Sequence, residues 1–239
     1  GAVAGMVFVP GFLINEHPVV LLVLPLILCV AGPALTHAWM GAYDARKLFS
    51  LRAPQGSGIA AAVLLLPLAV SLSFGLGALQ SHFVDAKHLQ SGEDQFQQIF
   101  QRIGDLGGLP LLILCAAVAP GICEELLCRG TLLTGLRRSA GPAWAVIISA
   151  FLFAVLHGSP LRFMPQMMLG ILLALITLRS GSIIPAMIIH AGHNALVISL
   201  SFIGRTEPSS TLVWSIAIAA LPLGYIGWRL ADRTGKPAA

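Results

Sequence analysis

Seven apolar stretches, each close to the length that crosses a bilayer, leave this chain little choice of architecture. A spanning helix needs about 20 apolar residues, with ~17–25 the usual range. The stretches run at roughly 18–40, 57–79, 108–136, 142–158, 161–178, 183–203 and 211–229. Of 239 residues, 56% are hydrophobic and only 10% charged, against about 25% charged in ordinary soluble domains. A soluble core could not hide that much apolar surface. An ordinary cytosolic enzyme, a nucleic-acid module and a disordered tail are therefore excluded. The expected fold class is all-α: a polytopic transmembrane helix bundle of about seven spans with short interfacial helices, forming one integral membrane domain.

Turn chemistry separates the stretches. Ala53-Pro54-Gln55-Gly56 divides the first two, and Gly141-Pro142 opens the fourth. Ser159-Pro160 reads as a helix start with Ser as cap and Pro in the first turn. Gly181 stands where a helix-ending glycine would. Ala2 to Ile14 is too short to span and reads as the remnant of an earlier helix, and Tyr43 to Leu51 reads as a short interfacial helix. The polar connection 80–107 holds a helical pattern from Asp94 to Ile103, expected on the membrane surface. If the spans alternate, one side collects Arg46, Lys47, Arg52, Arg137, Arg138, Arg179, Arg229, Arg233 and Lys236, and the other Lys87, Arg102, Arg162 and Arg205. By the positive-inside rule the richer side, with the C-terminus, is cytoplasmic, and a bacterial inner membrane is expected. The net charge of +4 is scattered between apolar runs, so no nucleic-acid partner is expected. Cys29, Cys115, Cys123 and Cys128 form no C-x-x-C pair, which argues against a disulfide framework or thiolate zinc. The chain begins at Gly1 with no basic segment before the first apolar stretch. It reads as a trimmed domain or a piece of a longer protein, without a signal peptide.

Charge inside a span is the sharpest functional signal, because one ionisable residue at a helix centre costs ~2.5–3.5 kcal/mol on insertion scales. The third span carries three such residues in Gly121-Ile-Cys-Glu-Glu-Leu-Leu-Cys-Arg-Gly130. Glu125 and Arg129 are four apart in the favourable order for an ion pair. Glu124, about 100° round the helix, is left without a partner and suits a general base. His157 ends Phe151-Leu-Phe-Ala-Val-Leu-His157, and His190, His193 and Asn194 share Ile188-Ile-His-Ala-Gly-His-Asn194. Helical rise puts Glu124 ~20 Å, His157 ~22 Å and Asn194 ~20 Å from the same bilayer face, with His190 at only ~13 Å. That leaves open whether His190 or His193 is the histidine that joins the site.

No H-E-x-x-H or G-x-S-x-G occurs, and no Asp lies in a span, so zincin, serine-elbow and aspartyl chemistries lack their signatures. Three short patterns do occur in order on separate spans. Glu124-Glu125-x-x-x-Arg129, Phe153-x-x-x-His157 and His190-x-x-x-Asn194 resemble the E-E-x-x-x-R, F-x-x-x-H and H-x-x-x-N motifs of CPBP (CAAX protease and bacteriocin-processing, or Abi) intramembrane proteases. This family includes the type 2 CAAX prenyl proteases and the lysostaphin resistance protein A-like proteins. The resemblance covers about residues 106–205. It implies an intramembrane endopeptidase in which Glu124 activates water with help from His157. His190 and Asn194 would stabilise the oxyanion, while Glu125 and Arg129 support the helix. It also leaves room for a divalent metal such as zinc held by Glu124, His157 and His190. Against a tightly bound zinc, no nearby Asp offers a partner to orient a histidine ligand. The extra His193 departs from the motif, either as a spare hydrogen-bond partner or in the place assigned to His190.

The chain is accordingly divided into N-terminal membrane helices and a surface helix (1–105), a catalytic core (106–205), and a last helix with a cytoplasmic tail (206–239). The expected partners are a peptide or protein substrate at the membrane and the lipid bilayer itself. The reading also allows a fused or associated transporter permease. A catalytically inactive scaffold or transporter-associated domain is the competing function. A proton relay through Glu124 and the histidines would require polar residues continuing to both surfaces, and the first two spans supply few.

Overall fold

Apolar sequence of this kind forms helices because only a helix satisfies its own backbone in a bilayer. A computed structural model describes residues 11–53, 56–84, 90–202 and 210–231. Among these the secondary structure is helical, with no strand. Six runs are long and apolar enough to cross a membrane: Pro18–Met40, Ser57–Gln80, Asp94–Leu156, Pro160–Ser180, Ile184–Phe202 and Thr211–Ala231. The 63-residue run Asp94–Leu156 is broken twice, at Gly108 (φ 62°, ψ −162°) and Gly141 (φ 82°, ψ 167°). Both glycines hold backbone angles that residues with a side chain rarely adopt. This run therefore contains the expected surface helix and two of the expected apolar segments.

The elements are α1 (Gly11–Glu16), α2 (Pro18–Met40), α3 (Ala45–Leu48), α4 (Gly56–Gln80), α5 (90–107), α6 (109–140), α7 (142–156), α8 (Phe163–Ser180), α9 (Ile184–Phe202) and α10 (Ser210–Ala231). The interfacial helix expected near Tyr43 is the single turn α3, capped by Asp44, whose carboxylate accepts the Arg46 N–H at 3.0 Å. Gly181 ends α8 in the left-handed conformation expected of it (φ 66°). Ser159 occupies its cap position, but its side chain makes no capping hydrogen bond there. Instead Gln80, at the end of α4, accepts the Met164 N–H at 2.7 Å and donates to the Pro160 carbonyl. A carboxamide carries its acceptor and its donors on separate atoms and so meets both partners at once. Some expectations fall outside the described residues: Pro54-Gln55 of the first turn, residues 2–10, and the charges Lys87, Arg205, Arg233 and Lys236.

The core forms where α4 enters the second half of the chain. Ala61, Ala62, Leu65 and Ala69 pack against Leu169, Leu173 and Ile176 of α8 and against Ala186 and Ile189 of α9. A second cluster joins α5 to neighbouring helices. Its Ile99 and Ile103 are buried with Leu22 of α2, Leu112 and Cys115 of α6, and Ile198 of α9. The outward faces expose large apolar side chains such as Leu28, Ile147, Ile218 and Leu221, as expected where the solvent is lipid.

α6 widens twice into π-helix, at Leu114–Val118 and Leu126–Leu133. The first widening precedes Pro120, which has no N–H for the carbonyl four residues back and whose ring crowds it. In the second, the hydroxyls of Thr131 and Thr134 donate to carbonyls five residues back, Leu126 at 3.2 Å and Arg129 at 3.3 Å. Glu124, Glu125 and Arg129 stand on or beside these widened turns, a common placement of π-bulges at functional positions.

Candidate active site

α6, α7 and α9 bring the three sequence patterns together inside the bundle. Glu125 and Arg129 form the expected ion pair, with Nη1 donating to Oε1 at 2.8 Å and both side chains fully buried. The other arm of the guanidinium, Nη2, donates to the Gly170 carbonyl of α8 at 2.9 Å. Gly170 also lets α8 approach α7 closely: a Cβ there would stand 3.0 Å from the Cα of Ala150. Arg129 also lies over the ring of Phe153, 4.5 Å from its centroid. The same ring meets His157 and His190 edge-on, at centroid distances of 4.7 and 5.4 Å. Phe153 thus fixes an arginine and two histidines at once.

Both histidines are tethered through Nδ1 and turn Nε2 toward one carboxylate oxygen. His157 Nδ1 bonds the Phe153 carbonyl at 2.8 Å, and His190 Nδ1 bonds Glu125 Oε1 at 2.9 Å. Their Nε2 atoms stand 3.8 and 3.9 Å from Glu124 Oε2. Glu124 is 3% exposed, and neither of its oxygens has a hydrogen-bond partner. The gaps are too long for direct hydrogen bonds and suit a bridging water. His190 is therefore the histidine that faces Glu124. The two meet although helical rise alone would set them about one turn apart.

His193, one turn further along α9, points elsewhere: its Nδ1 is 3.2 Å from Asn194 Oδ1. Asn194 Nδ2 in turn donates to the Ala116 carbonyl at 3.5 Å. A partner for a histidine, sought in the sequence among aspartates, is present as Glu125. The close approach of α6 to α9 depends on Gly121, where a Cβ would stand 3.0 Å from that of Ala191.

Glu124, His157 and His190 present a donor set of the kind that binds a divalent metal. Ligands of one tetrahedral zinc, at bond lengths of about 2.0–2.1 Å, stand roughly 3.3 Å from one another. The spacings here are wider, and among the described residues no group of three His, Cys, Asp or Glu closes around one point. As arranged, the Glu124–histidine gaps of 3.8 and 3.9 Å are wider than those of a formed zinc site and leave room for a water.

One residue was missed in the sequence. Gln166 of α8, one turn before Gly170, has a buried carbonyl oxygen with no partner. Its signal was a lone carboxamide in an apolar helix.

Fold and site together define an integral membrane protein with a buried carboxylate–histidine centre. Residues 106–196, well under half the chain, match the family model described as Type II CAAX prenyl endopeptidase Rce1-like. Over that segment, which holds all three sequence patterns, the chain is similar to type II CAAX prenyl endopeptidases. No curated protein and no solved structure matches the chain.

Proposed function

We propose that this protein hydrolyses a peptide bond inside the membrane with a water activated by Glu124. The observation that carries the proposal is the unpartnered, buried carboxylate of Glu124 facing two histidine Nε2 atoms at 3.8 and 3.9 Å. A carboxylate kept without a hydrogen bond in an apolar interior is costly, and it is matched by a group that arrives with the reaction.

In this reading water bridges Glu124 and His157. Its oxygen attacks the peptide carbonyl carbon and its proton passes to Glu124. The oxyanion is held by the Asn194 side-chain N–H and by an N–H at His190 Nε2, whose ring is held through Nδ1 by Glu125. Collapse breaks the C–N bond, and Glu124 returns the proton to the leaving amine. Arg129 and Phe153 hold Glu125 and both rings in place. The family description points to a prenylated C-terminal peptide as the first substrate to try. The charge asymmetry of the loops supports a C-terminus in the cytoplasm of a bacterial inner membrane, with α5 on the opposite side.

The test is cleavage of an internally quenched farnesylated CAAX peptide and of its unprenylated counterpart in detergent, by wild type and by Glu124→Gln, with and without a strong chelator. The expected result is activity that survives the chelator and falls at least about 100-fold in Glu124→Gln. Loss on chelation, restored by added zinc, would replace the water-only route with a metal. No cleavage of either peptide by the wild type would favour an inactive scaffold.

A further inference from the structure

We propose that His193 is a positioning residue for Asn194: its Nδ1–H fixes the Asn194 carboxamide with the amino group turned toward the reacting carbonyl. The proposal rests on the reading of Asn194 as an oxyanion donor.

The observations form a chain across two helices. A carbonyl oxygen only accepts, so the 3.2 Å contact between His193 Nδ1 and Asn194 Oδ1 requires a hydrogen on Nδ1. At the other end of the carboxamide, Nδ2 donates to the Ala116 carbonyl. Ala116 is four residues before Pro120, the position whose usual helical donor a proline removes. Its oxygen is thereby available to a side chain from α9. Turned over, the carboxamide would set Oδ1 against the Ala116 oxygen and its amino group against Nδ1–H, two contacts of like with like. Held as it is, Nδ2 keeps a second N–H free.

His193 itself is 4% exposed, and its Nε2 is buried without a partner. A proton there would be a buried donor with no acceptor. Among the described residues the site's ion pairs, Glu124 with His157 and His190 and Glu125 with Arg129 and His190, do not include His193. A neutral ring protonated on Nδ1 alone satisfies the arrangement. It also accounts for a histidine that the sequence patterns leave over.

Two measurements on the full chain test this. The first is nitrogen-15 NMR of histidine-labelled protein, with the His193 signal assigned by its loss in His193→Leu. The expected result is a neutral Nδ1–H ring that moves toward the commoner Nε2–H form in Asn194→Ala. A neutral Nε2–H ring or a charged ring in the wild type overturns the proposal, whatever the activity. The second is a double-mutant cycle on the farnesylated peptide. His193→Leu is expected to lower kcat on the order of 10–100-fold with KM nearly unchanged. His193→Gln, which can still donate to Oδ1, should recover most of that loss. In an Asn194→Ala background, His193→Leu should have no further effect. An equal loss in both backgrounds would show that His193 acts independently of Asn194. Unchanged kcat in Asn194→Ala alone would instead remove the oxyanion reading of Asn194 while leaving the NMR result to stand.

Discussion

Glu124 and Glu125 are neighbours in sequence with opposite surroundings. One oxygen of Glu125 receives both Arg129 and His190, whereas Glu124 has no hydrogen bond at all. That division was legible from spacing, because four residues bring Glu125 and Arg129 onto one helix face and leave Glu124 aside. The other attachments of Arg129 were not legible. A backbone carbonyl such as that of Gly170 carries no mark in sequence, and the stacking of Arg129 on Phe153 exists only once α6 and α7 have packed. Arg129→Ala should cost about 3–5 kcal/mol, since it strands a fully buried carboxylate. Chemical denaturation in detergent measures this. Arg129→Lys should fall between the two, because a single ammonium cannot reach Glu125 and the Gly170 carbonyl in the same fork geometry.

Among the elements, helix lengths and most boundaries followed from apolar run length and turn residues. Gly141-Pro142 opened a helix and Gly181 ended one, as read. The break at Gly108 falls where the polar connection 80–107 gives way to the third apolar stretch, as read. The π-widened turns of α6 were not legible, as they depend on where a proline or threonine meets a packed neighbour. Small residues set the spacing of the elements. Gly121→Val should push α6 from α9 at the level of Glu124 and His190. There even a Cβ would stand 3.1 Å from the Ala191 backbone nitrogen. The expected outcome is a lower thermal midpoint and a loss of peptidase activity of more than about tenfold, in keeping with the cost of overpacking. Gly135→Ala is the control: nothing lies within 4 Å of a Cβ there, so both readouts should stay at wild-type level.

At the scale of the whole molecule, the all-α bundle was legible from composition alone. The role of α4 was not. It lies outside the segment that carries the motifs, yet it forms the core with α8 and α9, and its last residue, Gln80, pins the connection after His157. Orientation is open to direct test. Gln98 on α5 and Arg138 near the end of α6 are both exposed. Gln98→Cys should react with a membrane-impermeant maleimide on intact cells, and Arg138→Cys only after lysis. The reverse pattern would invert the topology. The shortness of α7 has a consequence for whichever side that is. From 142 to 156 it rises about 22 Å, in a hydrocarbon layer about 30 Å thick. Just past His157 the bundle's rim holds a dimple, an open pocket of about 460 Å³ lined by Gln80, Val155, Ser159 and Phe163 among others. Hydrolysis has two reactants, and the second is water. In the proposed hydrolysis, a dimple above His157 shortens the path of water to Glu124, so the bilayer need be wetted only to a shallow depth.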